Sequence, residues 1–350
     1  MPDFGFPFFE GRHMHPGMPV VLPHRAARLA GLLMTLLGVL AVSCPPAAAQ
    51  ELKKAVLIPQ WEPQAQFAGY YVALAKGFYR QRGVDMTILR GGPKSPPSTL
   101  VADGRATFGT FFLATALRLR SEGLPLVNIC QLVRRSSLLL IAKKDSGILA
   151  PKDLDGRKVS MWGAEFRLQQ ETFFRDAGVR VVPKPQGFTV DLFLRGGVDA
   201  VSGMLYNEYH TILNSGFDPE ELTVFSMDEH GLNFPEDGIY CLDTTWRDDP
   251  GLCRAVAEAS VEGWTWAFAN PEQALDIVMS HVNAANLPTN RMHQKWMLAR
   301  MKDIIMPPGV TAPIGSLSQA EFDAVVTAMS RAHILSDIPP YEAFYAHPDK

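Results

Sequence analysis

The stretch Trp61–Tyr79, WEPQAQFAGYYVALAKGFY, decides how the rest of the chain is read. Just before it, Lys54-Ala55-Val56-Leu57-Ile58 is a short β-branched, apolar run of the length of a buried strand. Pro59 and Pro63 break the ladder and turn the chain into a loop that carries Trp61. From Phe67 onward the apolar residues recur at helical spacing, with Phe67, Tyr70, Tyr71, Leu74 and Phe78 sharing one face, and Gly77 ends the helix. A strand therefore delivers an indole into a loop, and a helix begins just after Gln64 and Gln66. In an open α/β sheet, ligands sit beyond the carboxyl ends of the strands. An indole, two amides and a helix start gathered there form a candidate site for a flat, polar ligand. Tyr70, Tyr71 and Phe78 read as core at this spacing, and Gln66 is either a ligand contact or a helix cap, a place where Gln is a poor choice.

At 350 residues the chain is long for one core, so two lobes are expected. A formal net charge of −3 and no clustered basic face exclude a nucleic-acid binder. At the N-terminus, His24-Arg25 and Arg28 precede the apolar run Leu29 to Val42, followed by Ala47-Ala48-Ala49. That is the pattern of a secretory signal peptide, with the mature chain beginning near Gln50 and located outside the cytoplasm, periplasmic in a Gram-negative cell. Cys44 offers the alternative of a lipid anchor, but Ala41 stands where that signal usually has leucine. Cys130, Cys241 and Cys253 remain in the mature chain; three cysteines cannot all pair, and none has metal-ligand spacing.

Beyond the first helix, short strands alternate with helices through Phe225, a rhythm of parallel crossovers. A return strand, Gly238 to Leu242, and a run of helices from Leu252 to Ala332 close the chain. The expected division is residues 1–49 as leader, 50–142 plus 239–350 as one lobe and 143–238 as the other. Crossings near Ala142–Gly147 and Glu236–Gly238 would form the hinge.

In the second lobe two strand-to-helix turns carry polar residues. Trp162 and Glu165 lie in the first, where Trp162 serves either cleft or core and Glu165 either a ligand or its own helix dipole. Tyr206, Asn207 and Glu208 lie in the second, with Glu208 able either to accept from a ligand amino group or to cap its helix. His210, His230, His281 and His293 show no metal spacing. The catalytic signatures Gly-x-Ser-x-Gly, the Walker phosphate loop and His-Glu-x-x-His are missing from the sequence.

The segments WEPQAQFAGYYVALAKGFY, GVDMTI, GGP, DGRATFGT, DLDGRKV and DAVSGMLYNEY together resemble the NMT1/THI5-like periplasmic solute-binding proteins of ABC importers. The resemblance implies an α/β periplasmic binding protein type II fold of two lobes with a hinge and a helical C-terminal tail. It also implies a monomer that needs no cofactor and hands a small ligand to permease and ATPase subunits. Members of the family bind thiamine pyrimidine precursors, and relatives bind riboflavin or alkanesulfonates; the same fold also serves sensors with a separate signalling partner. By the same resemblance Trp61 would stack on a heterocycle, with Gln66, Phe67, Tyr206, Asn207 and Glu208 completing the clamp. A fungal branch is enzymatic: it makes the thiamine pyrimidine from pyridoxal phosphate, bound at a lysine, and a sacrificed histidine of its own chain. Here those positions fall at Phe111 and Thr115, and the branch's cysteine cluster is reduced to Cys241, so a binder rather than an enzyme is expected.

Overall fold

The structure, a computed structural model, describes residues 51–335 and 337–346, leaving aside the side chains of residues 164–166. The expected leader, Cys44 and the side chain of Glu165 lie outside the described residues. Two five-stranded sheets carry the fold. The first runs β2 (Val84–Ile88), β1 (Lys53–Ile58), β3 (Phe108–Phe112), β10 (Asp237–Leu242) and β4 (Leu126–Gln131). The second runs β7 (Val182–Pro185), β6 (Lys158–Met161), β8 (Ala200–Met204), β5 (Leu138–Lys143) and β9 (Leu222–Ser226).

The two sheets share one plan. Three parallel strands lie side by side, and a fourth, antiparallel to both of its neighbours, is slotted in before the last. In each sheet the inserted strand, β10 or β5, is the one that has just crossed from the other sheet. The shared direction read from the rhythm holds for the other four strands of each sheet and fails at β5, while β10 is the expected return strand. Direction within a fully buried strand leaves no trace in its composition: β5 and β10 are as apolar as their parallel neighbours.

The outgoing crossing lies between Gln131 and Leu138, upstream of the expected Ala142–Gly147, because β5 already belongs to the second sheet. The return crossing runs from Ser226 to Asp237. Glu236 ties the two together. Its buried carboxylate accepts from the Ser137 amide at 2.6 Å, from the Ser137 hydroxyl at 2.9 Å and from the Ser136 hydroxyl at 3.3 Å. With no cation among these partners, burial pushes the Glu236 carboxyl up to about 8.

The C-terminal helices pack on the first sheet's helices. Helix α1 (Ala68–Ala75) lies against α3 (Pro250–Ala269), with α2 (Glu208–Asn214) following β8 and α4 (Arg291–Ile305) beyond. The α1–α3 contact is backbone to backbone, since a Cβ on Gly263 would stand 2.1 Å from the Gly69 carbonyl oxygen and one on Gly69 would strike Trp264. Tyr70, Tyr71 and Phe67 are core, as the helical spacing foretold for the tyrosines. The helix itself is shorter than expected: Ala65–Phe67 is a tight 3-10 turn, and Gly77, at φ 75°, separates α1 from a further turn beginning at Phe78. Cys130, Cys241 and Cys253 are all buried, with the sulfurs of the last two 3.9 Å apart. Among the described residues no helix is long and apolar enough to cross a membrane.

Candidate functional site

The loop after β1 is held from two sides. The Gln60 amide donates to the Thr110 hydroxyl of β3 at 2.9 Å, and Gly91 presses so closely that a Cβ there would lie 1.9 Å from the Pro59 carbonyl oxygen. Trp61 is thereby presented, half-buried, toward the second sheet. Its ring meets Trp162 edge-on at 5.9 Å and Phe188 at a tilt at 5.5 Å, residues that follow β6 and β7. Between these walls is a cleft of about 210 Å³. Trp61, Gln66, Trp162, Tyr206, Asn207 and Glu208, drawn from both sheets, line it together.

Phe67 does not line the cleft. It is fully buried and stacks on Tyr70 at 6.4 Å, because the 3-10 turn rotates it inward and leaves Gln66 facing the cleft. Gln66 is not a cap either, as no side chain caps the turn or the helix that follows it. Its amide nitrogen donates to Asp237 Oδ2 at 2.8 Å, its oxygen accepts from Gln64 Nε2 at 2.6 Å, and Gln60 Nε2 donates to Asp237 Oδ1. Burial pushes the Asp237 carboxyl up to about 7, opposed by these two amide donors.

On the facing wall Glu208 is buried. Its oxygens accept from the Met204 amide and from Asn207 Nδ2, each at 2.8 Å, so the carboxylate anchors the start of α2 while still lining the cleft. Burial raises its pKa, and those hydrogen bonds pull it back. Asn207 Oδ1 meets His293 Nε2 at 2.8 Å, and His293 Nδ1 meets His210 Nδ1 at 2.9 Å. His210 lies flat on Trp296, whose indole donates to the Leu205 carbonyl at 3.0 Å. Helix α4 also grips the other wall, where Gln294 accepts from the Ala65 amide at 2.6 Å. One C-terminal helix thus touches both sides of the cleft.

Sequence reasoning missed Gln60, Asp237, Phe188 and the His210–His293 pair, whereas Gln64, one of the two amides expected beside the indole, does line the cleft. An acidic residue opening the otherwise apolar DGIYCL run was the available signal for Asp237. Nothing local marked the two histidines, which stand 83 residues apart. Phe111 and Thr115, the positions where the enzymatic branch would carry lysine and histidine, both line the cleft.

The arrangement can set a flat ring against an indole face and meet its edge with amides and a carboxylate. No lysine, arginine or histidine is among the described residues that line the cleft.

Comparison with known proteins places this geometry. A formylaminopyrimidine-binding protein of Halalkalibacterium halodurans is 22% identical over 87% of this chain and 93% of its own. The riboflavin-binding protein RibY of Chloroflexus aurantiacus is 25% identical over 69% and 70%. Shorter stretches match a 4-amino-5-hydroxymethyl-2-methylpyrimidine phosphate synthase of Saccharomyces cerevisiae, 23% identical over 39% of each chain. Among solved structures, the periplasmic aliphatic sulphonate binding protein SsuA from Escherichia coli superposes with a TM-score of 0.63 at 15% identity, covering 82% of this chain and 94% of that one. The fold is accordingly that of the periplasmic binding proteins. The family model described as NMT1/THI5 like matches residues 64–274, more than half of the sequence, and the chain belongs to that family.

Proposed function

We propose that this chain is the extracytoplasmic ligand-capturing subunit of an ABC importer, and that it holds a small aromatic nitrogen heterocycle of the pyrimidine class without transforming it. The observation that carries this reading is the composition of the cleft. Two indoles face amides and a buried carboxylate, with no side-chain cation among its described lining residues. An anionic sulfonate would meet Glu208 uncompensated, whereas a neutral or cationic ring gains from it. The volume of about 210 Å³ lies below the roughly 300–1,000 Å³ of pockets for drug-sized ligands, which favours one ring over the three of a flavin. Phe111 and Thr115 at the cleft wall offer neither an amine for a cofactor aldehyde nor an imidazole to consume, which favours binding over synthesis.

In this reading the two sheets are the cores of two lobes, residues 51–131 with 237–346 and residues 138–226, joined by the two crossings that Glu236 fastens. Ligand contacts from both lobes favour the closed arrangement when the cleft is filled. The test is thermal melting of the mature chain with formylaminopyrimidine, 4-amino-5-hydroxymethyl-2-methylpyrimidine, riboflavin or taurine. A ligand at 100 times its dissociation constant stabilises by about 2.7 kcal/mol. A clear shift with a pyrimidine is expected; a shift with taurine alone refutes the proposal.

A further inference from the structure

We propose that Asp237 sets the ligand preference of the cleft by fixing which way two glutamine amides face, so that the walls offer hydrogen-bond acceptors and select rings that carry an exocyclic amino group. The inference rests on the reading that the cleft holds an aromatic heterocycle, and it adds the chemical edge by which that heterocycle is chosen.

A carboxylate is limited in the hydrogen bonds it can make. Ionised, it only accepts, through both oxygens. Asp237 is buried in β10, with Gln60 Nε2 against Oδ1 and Gln66 Nε2 against Oδ2. Turning either amide over would set its oxygen against a carboxylate oxygen and leave a buried acceptor facing an acceptor. The direction then propagates. With its NH2 group committed to Asp237, Gln66 has its oxygen free to accept, and Gln64 Nε2 donates to it at 2.6 Å. The carbonyl ends of Gln60 and Gln64 are left over, and both residues line the cleft. On the opposite wall Glu208, buried and acceptor-only, also lines it. A ring bearing an exocyclic amino group satisfies such walls at that position. A ring with a carbonyl in the amino group's place sets oxygen against oxygen.

Asp237 is thus a positioning residue, acting on the ligand through Gln60 and through the Gln66–Gln64 pair. A side chain that merely filled space in the core would change affinity for all ligands alike. One that sets amide direction changes their ranking. Replacing it with asparagine keeps the shape but substitutes one donor for one acceptor, so one of the two glutamines turns over and offers its NH2 group instead.

The experiment is calorimetric titration of the full mature chain at about pH 8.5, where Asp237 is ionised. The probes are 4-amino-5-hydroxymethyl-2-methylpyrimidine and its 4-oxo counterpart. Wild type is expected to prefer the amino compound at least about tenfold, and Asp237→Asn to bring the two within about threefold of each other. Gln60→Leu, which leaves Asp237 its Gln66 partner, is expected to weaken the amino compound about tenfold and the oxo compound much less. It decides the matter if Asp237→Asn does not fold. Equal losses for both probes in the variants, with the preference intact, overturn the inference and leave the proposed function standing, as does equal binding of both probes by wild type. Binding of neither probe by wild type overturns both.

Discussion

Replacing Glu236 with glutamine should stabilise the protein in mildly alkaline solution and do little in acid. The Glu236 carboxyl is fully buried and sits at about 8 in the fold, against 4.5 when exposed. Between those two values the unfolded chain gives up its proton and the folded chain keeps it. Stability is therefore lost as pH rises from about 4.5 to about 8, and is constant beyond. Each pH unit in that window withdraws about 1.4 kcal/mol, so the full loss attributable to this residue is about 3–5 kcal/mol. Glutamine has no proton to lose. It keeps one oxygen for the Ser137 amide and hydroxyl, and exchanging the other for an NH2 group costs about 1 kcal/mol. The variant should match or fall slightly below wild type at about pH 5 and exceed it by about 2–4 kcal/mol at about pH 8.5. Urea unfolding followed by tryptophan fluorescence at both pH values measures the difference. Asp237, raised for the same reason, contributes to the slope of both proteins, so the comparison isolates Glu236. Parallel stability profiles for the two proteins would refute the reasoning, because they would mean that the carboxylate ionises in the fold without penalty.

Further predictions concern the cleft. Trp61→Ala should weaken every aromatic ligand by a similar factor, about tenfold, since ring contacts add about 0.5–1.5 kcal/mol beyond the area lost; calorimetry that found the loss confined to one substituent pattern would count against a stacking platform. Small-angle scattering should give a smaller radius of gyration with saturating ligand and a larger one when the ligand-free protein is taken from about pH 7 to about pH 5. His293 is held down to about 4 by burial and by His210, itself lowered by burial, so protons that the latched pair refuses are accepted once it parts. The groups facing this pair are Asn207, Asn214 and Trp296, with Arg300 beyond the indole, and none supplies a compensating negative charge. A radius indifferent to acid would show that the histidines do not hold the walls together.

The parts of the molecule that could be read from sequence are those whose physics is local. Pro59 and Pro63 mark a loop wherever they occur, and an apolar run before them marks a strand, so the position of Trp61 was legible. The stretch from Met204 to Glu208 was legible because a short apolar strand run precedes it and a helix follows. Phe67 was misplaced by a single turn: its spacing fits the helix, but the 3-10 geometry at Ala65–Phe67 shifts which neighbour faces outward. The glutamine–Asp237 relay was illegible because its ends are 171 and 177 residues apart and glutamines occur on any surface. The outgoing crossing was placed late because Leu138–Lys143 reads equally well as the last strand of one sheet or the first of the next.

The inserted strands also dictate the order in which the chain can assemble. All five strands of the second sheet lie within Leu138–Ser226, so that half has every partner it needs as a continuous segment. The first sheet has no such independence. β3 and β4 are not neighbours in it, and the gap between them stays open until β10 arrives from more than 100 residues downstream. Until then both present unpaired backbone edges, the condition in which a nascent chain adheres to others. The half that begins the chain is therefore the last to be completed, a long-range closure that slows folding. Asp237 opens the same late strand. The glutamines that face the cleft acquire their direction only at the step that seals the first sheet, so an incompletely folded chain has no formed site with which to sequester ligand.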